Sequence, residues 1–149
     1  MWASDVSECL LSPGEVLVAR SNTPELVGRV AMFTGEPRDA VASDLTIRVL
    51  PGGELKSSLL TSYLSFLYLG GYWREKAAGA SGTMKKITRS QLIEQQIPVP
   101  SVATQERLVE RLSERMAVAN QACKALEEQL ESVNGLPAAI LRRAFNGEL

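Results

Sequence analysis

The reading of this chain turns on its last third, Ile97 to Leu149, IPVPSVATQERLVERLSERMAVANQACKALEEQLESVNGLPAAILRRAFNGEL. Pro98 and Pro100 make a stiff, extended lead-in, and a long helical pattern follows. Apolar residues recur at Val109, Leu112, Met116, Ala119, Cys123, Leu126, Leu130 and Val133. Their steps alternate between three and four residues, the period of a coiled-coil seam, for more than three heptads. A helix from about Thr104 to Asn134 would be roughly 45 Å long. Such a stripe needs a second long helix to cover it, and no other segment of the chain is long enough. The seam therefore predicts a partner. Gly135 and Pro137 predict an interruption, after which a short second helix finishes the chain.

Upstream, about 95 residues are left for a globular core, which is small but sufficient. Glu15–Arg20 and Val27–Phe33 read as strands bounded by Ser12-Pro13-Gly14, Thr23-Pro24 and Gly35-Glu36-Pro37. Leu45–Leu50 alternates, placing Leu45, Ile47 and Val49 on one face. From Leu55 to Ala78 the period turns helical. Leu59, Leu60, Tyr63, Leu64, Leu67 and Tyr68 form a stripe suited to cover a sheet, and Gly70-Gly71 predicts a break. The expected class is α+β: a small curled, mostly antiparallel sheet with a covering helix, then a long coiled-coil helix and a short C-terminal helix. The boundary falls between 1–97 and 98–149.

Composition narrows the chemistry. A formal net charge of −1 does not describe a strongly basic protein, although it leaves room for local patches. There is no histidine, so neither a metal site nor a His-based nucleophile pair is expected. Cys9 and Cys123 lie outside any CxxC spacing and read as reduced thiols of a cytoplasmic protein. No segment reads as a secretion signal, and Leu59–Trp73 is too short and polar to span a bilayer. Gly79–Lys86 does not match a phosphate-loop motif. A non-enzymatic role is expected, with no cofactor or metal of its own.

One stretch concentrates positive charge. Arg74, Lys76, Lys85, Lys86 and Arg89 stand against Glu75 alone, a local net of +4. Gly82 and the hydroxyl residues Ser81, Thr83 and Thr88 lie among them, a composition that can neutralise and approach phosphates. A solvated loop is the plain alternative. A second group is Arg20 and Asn22 at a strand end, with Arg29 on the next strand; Arg and Asn are the types that read guanine and adenine edges. Read alone, that group is a turn with surface arginines.

Several short motifs then fall in order. Ile97-Pro98-Val99-Pro100, followed by Gln105-Glu106-Arg107-Leu108-Val109-Glu110-Arg111-Leu112, resembles a signature of type I restriction–modification specificity subunits. Ile140-Leu141-Arg142-Arg143-Ala144-Phe145-Asn146-Gly147-Glu148-Leu149 is similar to the close of that family's conserved helical region. Pro13–Ser21 resembles the opening motif of its target recognition domain, and Val27-Gly28-Arg29 and Gly79–Thr83 match two further landmarks. The resemblance departs at Thr104, where the family usually has Glu. A recognition domain of the family has roughly 150 residues, so the front part here is expected to be partial.

The resemblance implies a DNA-recognition subunit, half-length or truncated, that reads one half-site of a split target in double-stranded DNA. Its long helix would dock methyltransferase (modification) subunits and, through them, a restriction subunit. Those partners would bind S-adenosylmethionine, Mg and ATP. One recognition unit and one helix imply a homodimer through the long helix. The DNA-contacting residues would be Arg20, Asn22, Arg29, Thr83, Lys85 and Lys86, with Arg89 on the phosphate rim. Two other readings stay open: a coiled-coil oligomerisation or docking protein with a remnant domain that no longer reads DNA, and a recognition domain serving a methyltransferase of another restriction type.

Overall fold

A computed structural model describes residues 10–79 and 83–148. Cys9, Ala80, Ser81, Gly82 and Leu149 lie outside the described residues. The chain forms two compact units, 1–109 and 110–149.

The first unit is built on β1 (Val16–Ala19), flanked by β3 (Val30–Met32) and β4 (Thr46–Val49) in an antiparallel sheet of order β3-β1-β4. Val16 and Val18 stand opposite Val49 and Ile47 on β4, and Val16, Val18 and Ile47 are buried. Period-two alternation of β-branched residues gives the sheet one apolar face. The helix α1 (Ser57–Leu69) packs on β3 and β1, burying Leu60 and Leu64 with Tyr63, Leu67 and Tyr68 beside them. It ends at Gly70 and Gly71, and α2 (Tyr72–Lys76) follows, so the predicted break is present.

Between the turn that leads into β3 and α2 lies a close contact of the core. Trp73 is fully buried and its ring sits where a Cβ on Gly28 would be, 2.4 Å from Trp73 Cγ. Gly28 also has φ +78°, so both space and backbone require glycine there.

A second, two-stranded sheet joins β2 (Ser21–Asn22) to β5 (Lys85–Lys86). Ala78 pairs with Lys86 on the other side of β5. Gly79 begins the intervening loop, where an added Cβ would lie 2.4 Å from the Met84 carbonyl oxygen. A short helix not anticipated from periodicity, α3 (Arg89–Ile93), is capped by Thr88. Thr88 Oγ1 accepts the Gln91 N–H, and Gln91 Oε1 accepts the Thr88 N–H.

The last element is α4 (Val102–Phe145), 44 residues in one helix. The expected interruption at Gly135 and Pro137 and the separate terminal helix are therefore corrected. Pro137 removes one N–H, and with it a single hydrogen bond to Val133. The flanking Leu136, Ala138, Ala139, Leu141 and Arg142 are strong helix formers that carry the helix past it. From 110 to 148 every residue is exposed, including the seam residues Leu112, Met116, Ala119, Cys123, Leu126, Leu130 and Val133; Val109 is half-buried. Among the described residues no helix is long and apolar enough to cross a membrane.

Candidate nucleic-acid interface

The first unit gathers residues that are far apart in sequence. Asn22 stands opposite Lys85, and Ser21 opposite Lys86, in the β2–β5 ladder. The strand-end group and the basic loop, separate in the sequence, are thus neighbours on one ribbon. Lys86 is exposed and Lys85 half-buried, with Lys85 Nζ 3.5 Å from the Ala77 carbonyl. Asn22 Oδ1 accepts the Thr23 N–H at 2.9 Å, which fixes the amide over the turn that follows β2.

Arg20 is the residue where the two sheets meet. Its N–H donates to the Leu45 carbonyl (2.8 Å) on the β4 side, and its carbonyl accepts the Ile87 N–H (2.9 Å) from the residue after β5. Its backbone is held from both sides while its side chain stays exposed. Arg89 is two residues beyond Ile87, at the first position of α3 behind the Thr88 cap. Arg20 and Arg89 line one cleft of about 280 Å³, together with Ser43, Asp44, Thr46 and Arg48.

Arg48 differs from these two arginines. Its Nε donates to Glu15 Oε2 and its Nη2 to Glu15 Oε1, each at 2.7 Å, and Nη2 also reaches the Leu10 carbonyl at 2.9 Å. Glu15 is buried and also accepts the Ser12 N–H at 2.9 Å. The Arg48 hydrogen bonds hold the Glu15 carboxyl below its ordinary value of 4.5, against the opposing effect of burial; the Ser12 N–H and the Arg48 charge add to the lowering. The pair is a satisfied structural fork beneath the cleft.

The remaining predicted residues are dispersed. Arg29 is exposed and its carbonyl pairs with the Ala19 N–H, on the β3 side of β1 and away from the Arg20 cleft. Thr83 is exposed in the turn before β5. Arg74 lines a different hollow with Glu25, and Lys76 Nζ lies 6.0 Å from the Tyr72 ring centroid. The basic run is therefore divided: its front cations belong to α2, and Lys85, Lys86 and Arg89 belong with Arg20 and Asn22. Ser43 and Asp44 before β4, and Thr46 at its first position, carry no sequence signal for the cleft, since neither a short polar turn nor a strand end marks which groove it borders. Among the described residues, no three His, Cys, Asp or Glu side chains group where a metal ion could sit.

A scan against protein-family models and a search of curated proteins each return no match to this chain.

Proposed function

We propose that this chain is a DNA-recognition subunit of a type I restriction–modification system, half-length or truncated. Its first unit reads one half-site of a split target, and its long helix docks methyltransferase subunits. The observation that carries the reading is the β2–β5 pairing, which joins Asn22 to Lys85 and brings Arg20 close to the start of α3. A two-stranded ribbon bearing cations and an amide matches what DNA asks for: phosphate neutralisation beside groove-edge hydrogen bonding. In this reading Arg20, Asn22, Arg29, Thr83, Lys85 and Lys86 contact DNA, with Arg89 at the backbone. The subunit is cytoplasmic and non-catalytic. Partner subunits bind S-adenosylmethionine, Mg and ATP and perform methylation and cleavage.

The exposed seam of α4 supports assembly through that helix, with a second copy supplying the facing stripe. It equally favours the second reading, an oligomerisation or docking protein whose front unit no longer reads DNA. One experiment separates the two. The full chain is mixed with a type I methyltransferase subunit and a random duplex library, and the methylated positions are sequenced. Methylation at a recurrent split motif supports the recognition reading. Complex formation without any methylated motif supports the docking reading.

A further inference from the structure

We propose that the cleft between the ends of β1 and β4 and the start of α3 seats one phosphodiester of the DNA backbone, held jointly by Arg20 and Arg89. The inference rests on the DNA-recognition reading and sharpens it: Arg20 becomes a backbone clamp rather than a base reader.

Three observations carry it. First, both arginines are mounted on fixed backbone. Arg20 is tied to Leu45 on one side and Ile87 on the other, and Arg89 follows a complete capping box. The fixed backbone sets where each side chain starts, and a guanidinium suits the two-pronged recognition of a phosphate. Second, both are exposed, and among the described residues neither forms an ion pair, unlike Arg48, whose charge Glu15 already answers. Third, the charge count selects the ligand. With Arg48 and Glu15 cancelling, Arg20 and Arg89 against Asp44 leave the cleft at +1. A phosphodiester carries a single negative charge. A free phosphate or phosphomonoester carries about 1.5 to 2 at neutral pH, and its extra charge would face the Asp44 carboxylate. Ser43 and Thr46, both hydroxyl-bearing residues, line the same cleft.

The test is the salt dependence of binding to a mixed-sequence duplex, using the full chain and the variants Arg20→Gln, Arg89→Gln and the double variant, between about 50 and 200 mM salt. Each single variant should weaken binding several-fold for all sequences alike. Because both arginines serve one phosphate, the double variant should lower the log–log salt slope by about 0.9 in total. A loss near 1.8, the value for two separate phosphates, overturns the shared clamp, as does a changed base preference in Arg20→Gln. Arg20→Lys and Arg89→Lys keep the charge and lose the fork, and should weaken binding while leaving the slope intact; an unchanged affinity would count against the fork. Inorganic phosphate as competitor should act only through ionic strength, and saturable displacement below that level reassigns the cleft to free phosphate. If the unmodified chain retains no duplex at low salt, the DNA reading fails and the clamp with it. If it binds and the slopes do not move in any variant, the clamp alone fails.

Discussion

The side chain of Gln105, at the start of α4, accepts the backbone N–H of Lys56, the residue that caps α1, at 2.9 Å. Its Nε2 donates to the Glu54 carbonyl (3.0 Å) and the Pro100 carbonyl (2.9 Å), and the side chain is fully buried. One amide thus satisfies a donor at the α1 N-terminus that has no partner within its own helix, and it ties the Pro-flanked lead-in to the same point. In the sequence Gln105 stood out only as part of a motif. The structure supplies its physical work.

Gln105→Ala should remove the partner of three part-buried backbone groups, at about 1–3 kcal/mol for each that water does not reach. Gln105→Glu should destabilise to a similar extent despite its near-identical shape, since a carboxylate cannot donate to the two carbonyls. Urea denaturation followed by tryptophan fluorescence reads both. A midpoint unchanged in Gln105→Glu would show that the two donated bonds contribute nothing.

Gly28→Ala should be among the most damaging single-methyl additions in the first unit. The new Cβ would meet the Trp73 ring at 2.4 Å, and φ +78° adds backbone strain. Overpacking alone costs typically about 1–3 kcal/mol. A thermal midpoint lowered by several degrees is expected, with a shifted Trp73 emission; an unchanged midpoint contradicts the contact.

Glu15 contributes to the acid limb of stability. Its folded carboxyl lies below 4.5, so the unfolded chain takes up protons first as pH falls. The stabilisation is complete above the unfolded value and is lost as pH drops through the depressed folded value. Glu15→Gln should therefore lower stability near neutrality and flatten the dependence below about pH 4.5. Parallel acid limbs for the two proteins would mean another group dominates there.

The seam on α4 predicts assembly. Leu126 and Leu130 are 64% and 61% exposed in the single chain, too much apolar surface along one stripe to stay uncovered. Light scattering at micromolar concentration should give a dimer, and Leu126→Asp should weaken it at least tenfold. A monomer at that concentration rules out the homodimer.

Much of the fold could be read from periodicity. The turn-bounded apolar run around Val16–Ala19, the alternation of Leu45–Leu50, the stripe on α1, the stop at Gly70-Gly71 and the onset of α4 are all local signals. What escaped reading is non-local or too short to have a period. The five residues of α3 complete barely more than a turn, and only the Thr88–Gln91 box marks their start. The pairing of β2 with β5 joins two dipeptides from distant parts of the chain, so the meeting of Asn22 and Lys85 had no sequence signal. Glu15 and Arg48 were passed over as charges in apolar strands, although opposite charges on strands that pair are a recognisable cross-strand device. At Pro137 a strong local breaker is outweighed by its helix-forming neighbours.

The most direct test of the account is equilibrium binding of the full chain to a random duplex library at low salt, with sequencing of the bound fraction beside that of Lys85→Ala/Lys86→Ala. The unmodified chain should enrich a short motif, and the double variant should bind more weakly while keeping the same motif, since phosphate contacts carry no sequence information. A bound fraction with the composition of the input, or no bound fraction at all, would contradict it.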